Sequence, residues 1–162
     1  MDRPYRPRMI LLDNPEETRR EPAVADTEDF NGKVIEEFRA SGGKVGGWFE
    51  GQTLLLLHHT GARSGIERVN PLVYQQVGDS LAIFGSAQGG PRHPDWFYNL
   101  VAHPDATVEV GTKTVKVRAR VADPDERAPI CDRQKEIASN FADYEKTAAP
   151  REIPVVVLDP VA

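Results

Sequence analysis

The residues of this chain best suited to bind an anion are two arginines and a serine in one short, glycine-containing segment. Arg63, Ser64 and Arg68 lie around Gly61 and Gly65, which can adopt the backbone angles of a tight turn. A guanidinium group is always charged and binds phosphate or carboxylate through paired hydrogen bonds, and turn amides and hydroxyls add further donors. The segment therefore predicts a cradle for a phosphate or carboxylate. The alternative is a polar hairpin turn with solvated arginines.

A second candidate region combines small residues with an aromatic helix. Residues 85–90 are mostly small, which lets a flat ligand approach the backbone, and the Ser86 hydroxyl could donate a hydrogen bond to it. Pro94 and Asp95 suit the first turn of a helix, since proline fits that position and the helix dipole favours a carboxylate there. Trp96 on this helix is either a core residue or a wall of a binding site.

The remaining candidates for chemistry are less specific. His58 and His59 are neighbours on a predicted strand and so face opposite sides, which argues against a pair of zinc ligands. One of them could face a pocket, or both could be structural. Trp48 and Phe49 form the tip of a glycine-rich loop that covers the core or walls a ligand site. Cys131 is the only cysteine, so the sequence offers no disulfide and no cysteine-based metal site, and we expect no metal.

Composition limits the classes of protein that this chain can represent. Its 162 residues suffice for one domain with its own core. The net charge of −5 argues against general nucleic-acid binding, which depends on many Lys and Arg side chains, and a local basic segment in an acidic protein favours a small anionic ligand. No run of residues approaches the roughly 20 apolar positions of a membrane span. We therefore expect a cytoplasmic protein, at most peripheral at the inner face of the cell membrane.

The N-terminal part of the sequence differs from the rest. Residues 1–29 are rich in Pro, Arg and Glu without a sustained apolar period, which predicts a tail that is flexible or draped over the body. The apolar residues 9–12 within it could instead form a flap over a substrate pocket or touch a membrane surface. Residues 30–162 then form a single domain, which opens with an amphipathic helix over residues 30–40.

Apolar patterns predict six strands in the remainder of the domain. A continuous apolar run between turn signals indicates a buried strand, whereas alternation of apolar and polar residues indicates one exposed face. Pro71 predicts an edge or a bulge, and the fourth and fifth strands form an exposed-edge hairpin. The strands are predicted over residues 53–60, 69–77, 81–84, 106–110, 114–121 and 153–158, and helices over 94–102 and 123–141, with Tyr144 in the loop that follows.

This set of elements is typical of one fold class. Six mostly antiparallel strands, joined largely by hairpins and flanked by helices on one side and one end, favour a small β-barrel of the α+β class. No dinucleotide-binding fingerprint, phosphate-binding P-loop or Gly-x-Ser-x-Gly elbow occurs. The chemistry must therefore rest on other motifs.

Those motifs, taken in order, resemble the deazaflavin (coenzyme F420)-dependent nitroreductase and quinone reductase family. Together they cover nearly all of residues 30–160, and their combination is specific although no single one is decisive. They are residues 30–47, Thr-Gly-x-Arg-Ser-Gly-x-x-Arg over 60–68, Asn-Pro-Leu over 70–72, Gly-Ser at 85–86, His-Pro-Asp-Trp over 93–96, Asn-Leu at 99–100 and Ile-Pro-Val-Val-Val over 153–157.

The resemblance implies a fold, a cofactor and a reaction class. The fold is a split β-barrel of the type that binds flavin mononucleotide (FMN). The cofactor is coenzyme F420, a deazaflavin with a phospholactyl and polyglutamate tail that carries a hydride. Members of the family reduce quinones, nitroimidazole prodrugs, or activated carbon–carbon double bonds such as those of enones and furanocoumarins. We therefore expect an F420H2-dependent reductase of a small hydrophobic or aromatic substrate, acting as a monomer or homodimer.

The same resemblance implies roles for individual residues. The anionic tail of the coenzyme would lie on Arg63, Ser64 and Arg68, the segment that physical reasoning also selects. Ser86 would bind the acceptor or the ring, and Tyr144 or a water molecule would deliver a proton. The residues expected to bind the cofactor are Ala62, Arg63, Ser64, Arg68, Val69, Asn70, Pro71, Leu72, Val73, Phe84, Gly85, Ser86, Ala87, Asp95, Trp96, Phe97, Tyr98, Asn99 and Phe141.

Two departures from the family pattern bear on function. Family members commonly have basic residues where this chain has Ala62 and Ala87, so tail binding loses up to two positive charges. Quinone-reducing relatives carry a series of tyrosines near the C-terminus, of which only Tyr144 is matched, while Phe141 and Ala138 occupy the other places. An enone or other activated alkene is therefore at least as well supported as a quinone or nitro compound.

Two alternatives would use the same barrel and the same anion cradle. One is a non-catalytic binder of a fatty acid, a tetrapyrrole or another hydrophobic ligand. The other is a relative that uses ordinary FMN. The sequence separates these alternatives poorly from a deazaflavin enzyme, because all three would keep the basic turn.

Overall fold

The computed structural model of the protein describes residues 24–49 and 51–161. Most of the expected tail over residues 1–29, and the possible flap over residues 9–12, lie outside these residues and stay predictions. The first described element is helix α1 (Val24–Ser41), which begins six residues before the start predicted from the spacing of apolar residues.

Helix α1 ends at two glycines, and both have left-handed backbone angles. Gly42 has a φ of 73° and Gly43 a φ of 107°. A Cβ atom at Gly43 would lie 2.9 Å from the Cα atom of Gly111, closer than real Cβ contacts allow. The chain can therefore leave the helix and pass this backbone only because the residue is glycine.

Six strands close into a barrel in which every neighbouring pair is antiparallel, so the predicted fold is confirmed. The strands are β1 (Leu54–Thr60), β2 (Glu67–Val77), β3 (Ser80–Phe84), β4 (Asp105–Val110), β5 (Lys113–Val121) and β6 (Val155–Pro160). Their order around the barrel is β1-β2-β3-β6-β5-β4. The expectation that β4 and β5 form an exposed-edge hairpin is wrong, because β4 also pairs with β1 and β5 also pairs with β6.

The four leucines of β1 are buried because the strand has apolar neighbours on both faces. Leu55 and Leu57 belong to the core cluster of the barrel and have no exposed surface. Leu54 and Leu56 belong to a different cluster, in which they pack with Phe38 of α1. A strand covered on both faces reads as a continuous apolar run, which is the pattern in the sequence. The run therefore holds α1 against the barrel wall.

Three further helices follow, namely α2 (Asp95–Ala102), α3 (Pro124–Ile137) and α4 (Asn140–Ala148). The single C-terminal helix predicted from the sequence is wrong, because Ala138 adopts extended backbone angles, φ −132° and ψ 104°, and ends α3. Tyr144 consequently lies on α4 and not in a loop. No helix in the described part of the chain is both long enough and apolar enough to cross a bilayer.

The break between α3 and α4 accompanies the burial of apolar side chains against the barrel. Phe141 of α4 is 4% exposed and packs edge-on against Phe84, with ring centroids 5.3 Å apart. Cys131 of α3 is buried in the same cluster, which includes Val155 and Val157 of β6. Tertiary packing thus overrides the local preference for one continuous helix.

Strand β2 changes its neighbour along its length. Residues 67–73 pair with β1, whereas residues 74–77 pair with β3. Pro71 lies opposite Leu56 in the half that lacks β3. The missing N–H of Pro71 therefore costs no ladder hydrogen bond on the open side, and the predicted edge position is confirmed. The barrel wall is open beside residues 67–73.

Candidate active site

A cavity of about 220 Å³ lies beside the open edge of β2. Its walls are largely apolar, and none of the residues that line it is charged. A cavity of this kind suits a flat, neutral, partly aromatic group. The lining residues are Phe49, Gln52, Pro71, Leu72, Val73, Phe84, Ser86, Ala87, Gln88, Pro94, Trp96, Gln134, Ala138, Asn140, Phe141 and Tyr144.

Two hydroxyl groups in the cavity are placed to donate hydrogen bonds. Ser86 lines the cavity, and its hydroxyl has no hydrogen-bond partner within residues 24–49 and 51–161. The Tyr144 hydroxyl accepts a hydrogen bond from Asn140 Nδ2 at 3.3 Å. Because an amide nitrogen can only donate, the phenolic hydrogen of Tyr144 is left for another acceptor. Both residues predicted to be catalytic therefore line one cavity.

The loop that carries Ser86 has an uncommon backbone. Ala87 (φ 48°), Gln88 (φ 55°) and Gly89 (φ 78°) all adopt left-handed angles, which are unfavourable for residues other than glycine. A Cβ atom at Gly89 would overlap Thr147 Oγ1 and lie 3.2 Å from the backbone Cα and O atoms of Tyr144, so glycine suits this close approach of the loop to α4. Such backbone angles persist where surrounding contacts enforce them.

Arg151 supplies such contacts to the loop. Its guanidinium donates to the backbone carbonyl oxygens of Gly85 at 2.9 Å, Ser86 at 2.9 Å and Gly90 at 2.8 Å. It also donates to His93 Nδ1 at 2.7 Å. Burial and the positive charge of Arg151 lower the pKa of His93 to about 4, so the ring is neutral near pH 7 and can accept. Sequence reasoning missed Arg151, because no local pattern indicates contacts with residues about 60 positions earlier.

The predicted anion cradle is the segment over residues 61–68, which comprises the turn between β1 and β2 and the first two residues of β2 and is called the basic turn. The N–H of Ile66 donates to Ser64 Oγ at 3.2 Å and shapes the turn. Arg63 and Arg68 are exposed, and neither forms a salt bridge with any residue that the structure describes. Two such positive charges on one short turn suit a phosphate or carboxylate group.

A buried polar network anchors the basic turn. Asn99 Oδ1 of α2 accepts a hydrogen bond from the N–H of Ala62 at 2.8 Å, and Asn99 Nδ2 lies 3.1 Å from His59 Nδ1. His59 Nε2 lies 2.7 Å from Asn70 Oδ1, so the neutral ring donates to Asn70 and accepts from Asn99. Burial lowers the pKa of His59 to about 4. Ala62, Asn70 and Asn99, which the resemblance implied in cofactor binding, thus form contacts that position the turn.

His58 faces away from this network, as predicted for neighbouring strand residues. Its Nδ1 lies 3.0 Å from Glu67 and its Nε2 lies 2.6 Å from Glu109. The hydrogen bond from Arg39 is the main cause of a lowered pKa at Glu109. Among the described residues, no group of three or more His, Cys, Asp or Glu side chains is arranged to hold a metal ion.

The structure brings nine of the predicted site residues together around the cavity. The lining residues that sequence reasoning missed are mainly amide side chains, such as Gln52, Gln88, Gln134 and Asn140. No local pattern marks an isolated glutamine as a site residue. Phe49, which the sequence leaves as a lid or a wall, lines the cavity. The nine predicted residues are Pro71, Leu72, Val73, Phe84, Ser86, Ala87, Trp96, Phe141 and Tyr144.

Several residues implied in cofactor binding lie elsewhere. Phe97 lines a separate apolar groove of about 210 Å³. Tyr98 packs edge-on against Phe97, with ring centroids 5.5 Å apart, and is 37% exposed. Asp95 is exposed in the first turn of α2, and Val69 packs against the apolar cluster that contains Phe38.

The basic turn and the cavity lie along the same strand. Arg68 and Pro71 are three residues apart on β2, which corresponds to roughly 10 Å at the rise of an extended strand. A molecule with an anionic tail and a flat ring could occupy both places. The residues present fit such a molecule, because the turn offers positive charge and the cavity offers apolar walls with a few hydrogen-bonding groups.

The closed antiparallel barrel with its flanking helices is a split-barrel-like fold, and a solved F420-dependent reductase has the same kind of fold. The model of the F420H(2)-dependent quinone reductase family matches residues 32–160, and the chain belongs to this family. It is therefore an F420H2-dependent oxidoreductase, and its cofactor is coenzyme F420 in the reduced form. The family resemblance inferred from the sequence motifs is confirmed.

Individual relatives extend this comparison. The chain is 36% identical over 127 residues to an F420H(2)-dependent quinone reductase of Mycobacterium tuberculosis (strain ATCC 25618 / H37Rv), covering 75% of this chain and 83% of that protein. A solved F420-H2 dependent reductase, FDR-A, is 31% identical, with a TM-score of 0.61 over 65% of this chain and 93% of that chain. Another solved chain, described as a domain-swapped dimer, is 27% identical, with a TM-score of 0.62 over 85% of this chain and 100% of that chain.

Proposed function

We propose that this protein transfers a hydride from reduced F420 to an electron-poor small molecule held in the cavity. The observation that carries the proposal is the position of the cavity, which is lined by Ser86 and Tyr144 and begins at Pro71, three residues along β2 from Arg68. The candidate acceptors are enones and other activated alkenes, quinones and nitro compounds. Each has an oxygen that becomes more negative as hydride adds, and so gains from a nearby donor.

The proposed cofactor site extends from the basic turn to the cavity. The turn would hold the phosphate and carboxylate groups of the coenzyme tail, while the ring fits beside residues 71–73 on the open edge of β2. Ala62 and Ala87 lack the basic side chains that family members commonly have there. Each charged hydrogen bond that is not made costs about 1.5–3 kcal/mol, so we expect weaker binding than in relatives that make them.

The protein's own contribution is to polarise the acceptor and to supply one proton. When bound, reduced F420 supplies two electrons and a hydrogen nucleus as hydride. Ser86 Oγ donates a hydrogen bond to the acceptor oxygen, where negative charge develops. Tyr144 donates its phenolic hydrogen, which the hydrogen bond from Asn140 leaves available. The apolar walls limit the access of water and strengthen both hydrogen bonds.

The walls of the cavity narrow the class of acceptor. Phe141 and Ala138 stand where quinone-reducing relatives carry tyrosines, and Phe141 is buried edge-on against Phe84. This wall can pack on a flat apolar molecule but cannot donate a proton to it. An enone or other activated alkene therefore fits at least as well as a quinone, because it needs only one polarised oxygen.

The first test is titration of the purified protein with oxidised F420, followed through intrinsic tryptophan fluorescence, since Trp96 lines the cavity. Arg63→Ala and Arg68→Ala should each weaken binding about tenfold. Arg118→Ala is the matched control, because that side chain is exposed on β5 and pairs with Asp105. Arginine variants that bind as tightly as the wild type, or tighter binding of FMN, would contradict the proposed site.

Turnover is the second part of the test. Reduced F420 is mixed with the protein and with cyclohexenone, menadione or a nitroimidazole, and cofactor oxidation is followed by absorbance. We expect reduction of at least one acceptor, at a rate that Arg68→Ala lowers at subsaturating cofactor. A protein that binds F420 but oxidises it with none of these classes would not support the reductase proposal.

A homodimer is the proposed assembly. It is supported by the structural neighbour that is described as a domain-swapped dimer. Size-exclusion chromatography with light scattering measures the mass directly, and a monomeric mass at micromolar concentration would reject it.

A further inference from the structure

Gln134 is a buried side chain of the cavity wall that the proposed mechanism does not use. It lies on α3, is 3% exposed, and lines the cavity together with Ala138 and Phe141. Neither of those neighbours has a side-chain hydrogen-bond donor or acceptor. The amide of Gln134 therefore adds a polar group beside the apolar side chains of Ala138 and Phe141.

The orientation of this amide is fixed by a second glutamine. Gln75 Nε2 of β2 donates to the backbone carbonyl oxygen of Ile130 at 3.1 Å and to Gln134 Oε1 at 3.1 Å. A carbonyl oxygen can only accept, so the nitrogen of Gln75 must face Ile130. The atom of Gln134 that meets this nitrogen must then be its oxygen, and its NH2 group points away from Gln75.

That NH2 group has no hydrogen-bond partner in the part of the chain that the structure describes. Buried amide nitrogens are almost always paired, because leaving one unpaired loses the hydrogen bond that it would make with water. Gln134 borders a cavity large enough for a ligand, so a ligand bound there could supply the acceptor for this NH2 group. The donor is pre-oriented, because Gln75 holds the other end of the amide.

We propose that Gln134 is a ligand-recognition residue whose NH2 group donates a hydrogen bond to a conjugated carbonyl oxygen in the cavity. This inference rests on the proposed function, because it concerns a molecule bound at that site. Two sources of such an oxygen exist, namely a carbonyl of the deazaflavin ring and the carbonyl of the hydride acceptor. The Gln134 donor and the Ser86 hydroxyl would then select carbonyl compounds over hydrocarbons of the same shape.

A neutral oxygen is the better partner for Gln134 than an anion. None of the residues that line the cavity is charged, and burying an anion without a paired cation is costly. The charged groups that suit an anion lie on the basic turn instead. A carbonyl conjugated to a ring or double bond combines a strong neutral acceptor with the flat apolar body that the walls fit.

The test measures binding, so that it does not depend on turnover. Gln134→Met keeps the length of the side chain and removes both polar atoms, whereas Gln134→Glu keeps an oxygen for Gln75 and replaces the donor by an acceptor. The matched control is Gln76→Met. Gln76 is exposed on β2, the strand that also carries Gln75, and donates to the carbonyl oxygens of Gly78 and Ser80. The ligands are oxidised F420 and, on protein saturated with it, menadione and methylnaphthalene.

We expect both Gln134 variants to bind one carbonyl ligand about tenfold more weakly, the effect of one lost buried hydrogen bond. Gln76→Met should bind all three ligands as the wild type does. A loss for F420 identifies the ring carbonyl as the partner, and a loss for menadione but not methylnaphthalene identifies the acceptor carbonyl.

Binding of F420 and menadione within twofold of the wild type in both Gln134 variants would overturn the inference. Equal losses for menadione and methylnaphthalene, with F420 binding unchanged, would also overturn it, since that result reports a change of cavity shape. If Gln134→Met does not fold, Gln134→Glu, which keeps the contact with Gln75, decides the outcome.

Dependence of F420 binding on Gln134 in a protein that reduces no acceptor would retain this inference and reject the proposed function. Turnover by the wild type, together with unchanged ligand binding in the Gln134 variants, would retain the proposed function and reject this inference.

Discussion

The chemistry available to individual side chains at this site depends on the hydrogen-bond partners that hold them. Asn140 Nδ2 donates to the Tyr144 hydroxyl, which leaves that group free to donate its own hydrogen. His59 is held in one neutral tautomer by Asn70 and Asn99, and so it is not available as an acid near pH 7. Of these two ionisable residues, only Tyr144 lines the cavity.

Removal of the Tyr144 hydroxyl is expected to slow turnover without weakening cofactor binding. A positioned general acid typically contributes a factor of about 100 or more, and water can replace part of it, so Tyr144→Phe should lower kcat at least tenfold, by about 1.4 kcal/mol in barrier. Asn140→Leu should lower kcat less, because the hydroxyl remains. Tyr74→Phe is the control, since Tyr74 packs against the barrel core and does not line the cavity. An unchanged kcat in Tyr144→Phe would mean that water supplies the proton.

Acidification is expected to destabilise the protein through His59. Its pKa is about 4 in the folded protein, below the usual value of 6.5, so the neutral form stabilises the fold above pH 6.5 and this contribution is lost as the pH falls towards 4. Between pH 7 and pH 5 the free energy of unfolding should fall by about 2 kcal/mol from this group. Urea denaturation at the two pH values measures the change.

A variant that cannot be protonated at position 59 isolates the contribution of His59 to the pH dependence of stability. His59→Gln keeps a polar side chain for Asn70 or Asn99 and should lose less stability than the wild type between the two pH values. His93, whose pKa is also lowered to about 4, accounts for pH dependence that both proteins share. An equal loss in the variant and the wild type would show that His59 is not the titrating group.

At the scale of elements, the loop over residues 85–90 depends on a residue from the end of the chain. Arg151 donates to three carbonyl oxygens of this loop, while Ala87 and Gln88 hold left-handed backbone angles. The loop in turn places Ser86 in the wall of the cavity. Loss of the Arg151 side chain should therefore lower both the stability of the protein and its activity.

Removal of that anchor is expected to cost more stability than removal of a surface arginine. Arg151→Met takes charged donors from several carbonyl oxygens and should lower the free energy of unfolding by about 3 kcal/mol, as measured by urea denaturation. It should also raise the KM for the acceptor, because the loop that carries Ser86 relaxes. Arg118→Met removes only an exposed pair with Asp105 and should change stability by less than about 0.5 kcal/mol. Equal effects of the two substitutions would show that Arg151 does not hold the loop.

Local sequence patterns predicted the strands well and the C-terminal helices poorly. The leucine run of β1 and the alternation in β4 and β5 depend on neighbouring residues, which a single sequence shows directly. The break at Ala138 depends on the packing of Phe141 against the barrel, which no local pattern reports. For the same reason the position of Tyr144 on α4 was missed.

Across the whole molecule, barrel closure gathers site residues that are distant in the sequence. The cavity combines side chains from Phe49 to Tyr144. The basic turn was predictable from spacing alone, and the apolar part of the cavity followed from the family resemblance. Gln134 and Arg151 were not predictable, because each is oriented by partners about 60 positions away in the chain. Such contacts are properties of the closed fold.

The charge distribution of the whole protein predicts how salt affects cofactor binding. The net charge of −5 repels an anionic tail, whereas Arg63 and Arg68 attract it locally. Raising NaCl from 50 to 500 mM screens exposed charges and should weaken F420 binding about fivefold, measured by tryptophan quenching. Binding of menadione, which is neutral, should change little.

The double variant Arg63→Ala, Arg68→Ala is expected to abolish or reverse this effect of salt. Without the two positive charges the net charge becomes −7, and salt then screens only repulsion between the protein and the tail. The residual affinity for F420 should therefore stay constant or rise with salt. Parallel salt dependences in the variant and the wild type would mean that the tail is not held at the basic turn, whatever the affinity of either protein.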